Sequence, residues 1–367
     1  MNSMPLFEWN KCRHEPLVVA GPCSVESRAQ LVEVTGALCA LPQVRLIRCG
    51  VWKPRSRPGG FEGLGEQALR WMAETKASAA DDKRPRYACE VATPEHVEAV
   101  LRHGIDAVWI GARTTANPFM VQELAEALRG TGMSVMVKNA PSPDVRLWMG
   151  AIERCLKAGL DDVAAVHRGF DLFHNASFRN LPLWEVPIEL RRSMPGLPIL
   201  CDPSHIAGSR EPLPSLSQMA MDLGFDGLMV ETHPRPDEAL TDADQQLTPA
   251  QLSGLISGLL LRQTDTEKAD QELRLLRLQI DQADQELLRL LAVRLDVVQQ
   301  IAEVKSQSNW AVFQPKRWEA LLSNRLEAAR GLGLCDDFVK ELFEKIHAES
   351  VRVQEAMMEE KKNAGAQ

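Results

Sequence analysis

Nowhere in these 367 residues do about 18 apolar positions run together, which argues against a membrane-spanning helix. Residues Met1 to Trp9 also lack the basic-then-apolar layout of a secretory signal. The chain is therefore expected in the cytoplasm, with no membrane partner. A surplus of positive charge is missing too, since the formal net charge is -8. A protein selected for the phosphate backbone usually carries a basic surface, so generic nucleic-acid binding is excluded as a function class. Paired cysteine spacing is absent. Eight scattered cysteines in a chain this large read as reduced thiols, seven of them as small buried hydrophobes, and not as a disulfide framework. No HExxH or CxxC pattern occurs either, so any metal site must be assembled from residues far apart in sequence.

What is present is an ordinary globular composition, 45% hydrophobic and 25% charged, in a chain too long for one core. Short β-prone segments recur at Leu17-Ala20, Val44-Arg48, Arg86-Glu90, Ala107-Ile110, Val135-Lys138, Val163-His167, Pro198-Asp202 and Gly227-Glu231. Helical periodicity lies between most of them, as at Glu26 to Leu41, Pro94 to His103, Pro118 to Arg129 and Pro143 to Ala158. Strand and helix alternating eight times predicts an α/β fold, a (β/α)8 TIM barrel over residues 1–262 closed by a helix from Thr248 to Leu261. A polar stretch, 263–269, reads as a linker. Residues 270–367 carry no strand signal and predict an all-α domain of three helices: Asp270 to Ser306, Pro315 to Arg330 ended by Gly331 and Gly333, and Asp336 to Glu360. Three helices alone bury little, so this domain is expected to dimerise or dock.

In a closed parallel barrel all strand ends converge on one mouth, and here each end carries a reactive group. Cys23, His205, Glu231 and Asp242 offer one sulfur, one nitrogen and two carboxylate oxygens. That mixture suits one divalent first-row ion, manganese, iron, zinc or cobalt, with a position left open for substrate. Asp244 is a rival for the place of Asp242. A second set, Arg48, Lys53, Arg113, Lys138 and Arg168, is too cationic to share a mouth without a strongly anionic ligand. Planar guanidinium forks mixed with point-charge ammoniums fit a phosphorylated carboxylic acid. Arg55 and Ser56, further along the loop of Lys53, offer a second phosphate site. Glu90 either orients an attacking water or pairs with a neighbouring cation.

These residues resemble the 3-deoxy-D-arabino-heptulosonate 7-phosphate (DAHP) synthases over roughly Pro16 to Leu261. The matching stretches are Gly21-Pro22-Cys23-Ser24-Val25-Glu26-Ser27, Lys53-Pro54-Arg55-Ser56, Ile110-Gly111-Ala112-Arg113, Val137-Lys138, His167-Arg168-Gly169, Asp202-Pro203-Ser204-His205, and Gly227 to Leu247. The resemblance implies condensation of phosphoenolpyruvate with erythrose 4-phosphate, the first step towards aromatic amino acids. It places phosphoenolpyruvate on Arg48, Lys53, Arg113, Lys138 and Arg168, the erythrose phosphate on Arg55 and Ser56, and the metal on Cys23, His205, Glu231 and Asp242. Ser56 stands where that family usually shows Thr, which keeps a hydroxyl.

In the helical remainder, Leu273, Leu276, Ile280, Leu287, Leu291, Val298 and Ala302 form one apolar stripe, and Arg294 and Lys305 fall inside it. Two cations on such a stripe either make structural ion pairs or take an anion. They stand about 16 Å apart along the axis, within reach of the two ends of a small dicarboxylate. Arg277 is about 25 Å from Arg294 and could join that ligand only from an antiparallel partner chain. Arg277, Arg294, Lys305, Arg317, Ser350 and Gln354 resemble the site of the all-helical chorismate mutases, which are interwoven homodimers. The resemblance implies rearrangement of chorismate to prephenate, with the arginines on the carboxylates and Lys305 and Gln354 on the ether oxygen. Gln314 and Trp318 depart from it, standing where many relatives have acidic residues.

Two other readings stay open. The barrel is also similar to the synthase that uses arabinose 5-phosphate, although that family typically has Asn ahead of the loop arginine. Residues 270–360 also fit a dimerisation and ligand-sensing module without turnover. Because the barrel begins almost at Met1, feedback control is expected through the helical domain, by chorismate or prephenate.

Overall fold

The computed structural model describes residues 6–8, 16–53, 59–80, 84–171, 178–261, 271–308 and 310–364; within the last two segments the side chains of 271–276, 278 and 360–364 are not described. Two compact units divide the chain, Met1–Asp265 and Thr266–Gln367. In the first, eight parallel strands close into a barrel in sequence order. They are β1 (Leu17–Gly21), β2 (Val44–Arg48), β3 (Tyr87–Val91), β4 (Ala107–Ile110), β5 (Ser134–Lys138), β6 (Val163–His167), β7 (Ile199–Cys201) and β8 (Gly227–Glu231). Seven of the eight are buried along their whole length or all but one residue. That burial explains why they read as continuous apolar runs and not as alternating ones, since helices cover one face and packed side chains fill the other. Each fully buried Val, Leu or Ile contributes roughly 1.5–3 kcal/mol.

The seam closes by in-register pairing of β1 with β8, from Leu17 opposite Gly227 to Gly21 opposite Glu231. Gly21 is required there. Its φ is +151°, and a Cβ on it would stand 2.2 Å from the Arg48 carbonyl oxygen.

The outer helices are α1 (Arg28–Cys39), α2 (Glu66–Ser78), α3 (Pro94–Arg102), α4 (Ala112–Thr115), α5 (Pro118–Leu128), α6 (Val145–Lys157), α7 (Glu185–Ser193), α8 (Pro203–Ala207), α9 (Leu213–Asp222) and α10 (Pro249–Ser257). Ser27, Thr93, Asn117, Asp144 and Thr248 each accept a backbone N–H at the start of a helix. These caps satisfy otherwise orphaned donors and fix where each strand-to-helix connection ends. The connections are thereby held as the mouth of the barrel.

The second unit contains α11 (Gln271–Ser308), α12 (Pro315–Gly331) and α13 (Asp336–Ala364). Val298 and Ala302 of α11 are buried, as the apolar stripe predicts, but Ile280 and Leu287 are exposed. The difference has a physical reason: the buried pair lies where α11 packs on α13, and no described part of this unit covers the earlier turns. A second apolar stripe, Leu290, Val293, Val297, Ile301 and Val304, also stands exposed about a quarter turn round the same helix. No helix among the described residues is long and apolar enough to cross a membrane.

Candidate active site

Strand ends bring the sulfur and the carboxylates together. Cys23 follows β1, Glu231 ends β8, and Asp242 lies on the loop beyond it in a left-handed conformation, φ 47° and ψ 41°, which Asp tolerates better than most residues. One ligand atom from each of the three lies within 4.8 Å of the others. The Cys23 thiol donates to Asp242 Oδ2 at 3.0 Å, and the Lys53 ammonium donates to the same sulfur at 3.1 Å. His205, on α8, sits at the edge of this group, with Nε2 3.8 Å from Glu231 Oε1 and Nδ1 2.8 Å from Asp202 Oδ2. Asp244 is exposed and does not join it.

The donor set fits a divalent cation. Burial, and then the Glu231 carboxylate, push the Cys23 thiol up to about 12, which keeps the sulfur protonated without an added positive charge. Burial also opposes the charge on Asp242, yet the Cys23 thiol and the Arg179 guanidinium donate to it and hold its carboxyl below the usual range. Glu231 Oε1 is buried with no hydrogen-bond partner, although Arg48 lies 3.0 Å away. A thiol, two carboxylates and an adjacent imidazole form a mixed set for a first-row ion, and Asp202 on the far ring nitrogen of His205 is the usual orienting partner of such a ligand.

Beside this group is a cavity of about 510 Å3 lined by Lys53, Glu90, Arg113, Lys138, Arg168 and Arg179 among others. With Asp171 and Asp242 included, cations outnumber carboxylates on its wall five to three. Arg48 is not on the wall. It is buried, ion-paired to Glu231, with its guanidinium 5.2 Å from the Trp109 ring centre. Lys138 pairs with buried Asp202 at 2.7 Å; burial lowers its pKa in spite of that partner. Arg168 donates to Asn180 Oδ1 at 2.8 Å, and its backbone N–H donates to Asn139 Oδ1 at 2.7 Å. Glu90 accepts from the Trp109 indole at 3.0 Å, so its near partner is an indole N–H. Arg55 and Ser56 lie outside the described residues.

Several residues here escape sequence reasoning. Asp202 follows β7 in a visible motif but carries no sign that it pairs with both Lys138 and His205. Arg179 and Asn180 follow no strand directly, and only the folded chain reveals that they face the mouth.

In the helical unit, Arg294 donates to Ser350 Oγ at 2.5 Å, and Gln354 donates to the Ser350 carbonyl at 3.1 Å while its own Oε1 is buried without a partner. Lys305 donates to the Val312 carbonyl at 2.5 Å. Trp318 stacks on His347 at 4.1 Å. Desolvation lowers the pKa of Arg294 and of Lys305, as expected for cations drawn against an apolar stripe. Arg277 and Arg317 are exposed and join no described cluster in this chain.

A parallel barrel with a mixed sulfur and oxygen donor group beside a cationic cleft defines a barrel enzyme with an anion-binding mouth, followed in sequence by a helical unit. Residues 11–266 match the DAHP synthetase I family and residues 276–355 match chorismate mutase type II. The chain belongs to the DAHP synthetase I family, with a chorismate mutase type II domain fused behind the barrel. It is 33% identical over 230 residues to the phospho-2-dehydro-3-deoxyheptonate aldolase of Thermotoga maritima, covering 63% of this chain and 64% of that protein, just under two thirds of its length. It is 27% identical to a 2-dehydro-3-deoxyphosphooctonate aldolase of a Bradyrhizobium, covering 66% and 86%. The crystal structure of the Thermotoga maritima DAHP synthase superposes with a TM-score of 0.58 at 30% identity, over 66% of this chain and 67% of that one.

Proposed function

We propose that residues 1–262 condense phosphoenolpyruvate with erythrose 4-phosphate, that 263–269 link the domains, and that 270–367 rearrange chorismate to prephenate, in the cytoplasm. The observation that carries the first reading is the Cys23, Glu231 and Asp242 group within 4.8 Å, opening beside the cationic cavity. Arg113, Lys138 and Arg168 are assigned to the phosphate and carboxylate of phosphoenolpyruvate, with Arg48 and Lys53 beneath and beside them. Arg55 and Ser56 are assigned to the erythrose phosphate. Cys23, His205, Glu231 and Asp242 are assigned as ligands of one manganese, iron, zinc or cobalt ion, which would supply Lewis acidity at the aldehyde oxygen. Carbon 3 of phosphoenolpyruvate bonds to the aldehyde carbon, water adds at carbon 2, and inorganic phosphate leaves. Lys53 is assigned to hold a proton at the developing alkoxide, a role supported by its position on the cavity wall 3.1 Å from Cys23 Sγ. The cations keep the phosphate and carboxylate in register and neutralise charge throughout, which is orientation and electrostatic catalysis without a covalent enzyme intermediate.

Phosphate release with erythrose 4-phosphate or arabinose 5-phosphate tests both aldoses, the second because the phosphooctonate aldolases are among the relatives. We expect turnover with the first, loss on chelation with return on adding metal, and a fall of about 100-fold or more for Cys23→Ala. Chelator-resistant turnover would sink the metal assignment.

For the helical domain we assign chorismate to Arg294, Lys305, Arg317, Ser350 and Gln354, and to Arg277 of a second copy. The homodimer is supported by the two exposed apolar stripes on α11. Feedback through this domain is read by adding chorismate or prephenate to the synthase assay, where an unchanged rate would end that part of the proposal.

A further inference from the structure

The side chain of Arg179 is half exposed on the cavity wall, yet it makes two well-formed hydrogen bonds with one nitrogen. Nη1 donates to Asp242 Oδ1 at 2.8 Å and to Gln245 Oε1 at 2.8 Å. Gln245 is buried, and its Nε2 donates onward to Glu231 Oε2 at 2.6 Å. With the amide oxygen facing the guanidinium and the amide nitrogen facing the carboxylate, both ends are satisfied; a flipped amide would set donor against donor and acceptor against acceptor.

We propose that Arg179 is a positioning residue that locks both metal-binding carboxylates, directly at Asp242 and through the Gln245 amide at Glu231. Each carboxylate gives one oxygen to this frame, which leaves Asp242 Oδ2 against the Cys23 thiol and Glu231 Oε1 buried without a hydrogen bond. The second Glu231 oxygen lies 3.0 Å from the Arg48 guanidinium and 3.8 Å from His205 Nε2, on the side away from the Gln245 amide. The inference rests on the reading of Cys23, Glu231 and Asp242 as metal ligands.

The backbone around Arg179 extends the frame to the other two parts of the site. Arg179 N–H donates to the Ala207 carbonyl at 3.2 Å, Asn180 N–H to the Ile206 carbonyl at 3.1 Å, and Asn180 Nδ2 to the His205 carbonyl at 2.6 Å. All three acceptors belong to α8, the short helix that carries His205. The stem of Arg179 crosses Gly208, at the end of that helix, where a Cβ would stand 2.6 Å from Arg179 Cβ. Asn180 Oδ1 meanwhile accepts from Arg168 in the anion cleft. One dipeptide thus ties the carboxylates, the histidine helix and an anion-binding arginine into a single unit.

Two physical effects of Arg179 oppose each other, and the opposition makes the role measurable. As a charge, a guanidinium beside the ligands repels a divalent cation, so neutralising it would tighten metal binding. As a clamp, it spares the carboxylates a loss of freedom when metal binds, so removing it would weaken binding. Positioning predicts that the second effect wins.

The experiment is titration of the metal-free full-length protein with Co2+, followed by the thiolate-to-cobalt absorption band, and with Mn2+, followed by the spin resonance of the free ion. Arg179→Met keeps a stem across Gly208, and Gln245→Leu cuts only the arm to Glu231. We expect both variants to bind Mn2+ about 10- to 100-fold more weakly, with Arg179→Lys recovering part of the loss. Unchanged or tighter binding in Arg179→Met overturns the positioning role; should that variant fail to fold, unchanged binding in Gln245→Leu overturns it equally. If the unaltered protein lacks the cobalt band, or keeps it in Cys23→Ala, the metal reading itself fails and takes this inference with it.

Discussion

His167, the last residue of β6, is fully buried among Trp148, Phe170, Trp184 and Phe225, and neither ring nitrogen has a well-aligned partner. Burial drives its pKa down to about 3. An unfolded chain would titrate near 6.5, so between those values the unfolded state holds a proton that the folded state refuses. Stability from this residue is complete above pH 6.5 and is lost as pH falls toward 3, at up to about 1.4 kcal/mol per pH unit. Urea unfolding of His167→Phe between pH 7.5 and 5 is expected to show a flatter pH dependence than the parent, and an unchanged slope would refute the account. At this scale the residues whose placement follows from standing at a strand end, such as Cys23, Lys138 and Glu231, are legible in the sequence. It hid those defined by a partner across the barrel, because nothing local to Arg179 or Asp202 specifies Gln245 or Lys138.

Strands and helices were more legible than single contacts. A strand of a parallel barrel is buried on both sides and must be apolar throughout, so its signal is local, and all eight lie within a residue or two of where apolar runs place them. Helix α2 was less legible since its connection from β2 is long and carries Lys53 on the way. On α11 the periodicity gives the stripe that includes Val298 and Ala302, and the exposed stripe of Leu290, Val293, Val297, Ile301 and Val304 stands out once burial separates the two faces. Element geometry also yields a prediction at Gly21, where a side chain would meet the Arg48 backbone, which cannot move without parting β1 from β2. Gly21→Ala is expected to lose more than about 3 kcal/mol of stability or to give no closed barrel. Circular dichroism with urea unfolding reads this, and a midpoint equal to the parent's would show that the backbone there yields.

For the whole molecule, the exposed stripes on α11 predict association. Val293→Glu places a charge on the second stripe and is expected to leave the protein monomeric by sedimentation, with mutase turnover lowered at least about tenfold and synthase turnover kept. A dimer that survives the change would assign the interface elsewhere. The closed barrel has a further consequence, for how the protein is made. Its seam joins the first strand to the last, and the thiol of Cys23 meets a carboxylate 219 residues later. During translation β1 must wait with a bare edge until β8 leaves the ribosome, and contacts so distant in sequence form slowly. Any nascent chain stalled before Glu231 therefore keeps two unpaired sheet edges, the kind of species that chaperones capture and that otherwise aggregates.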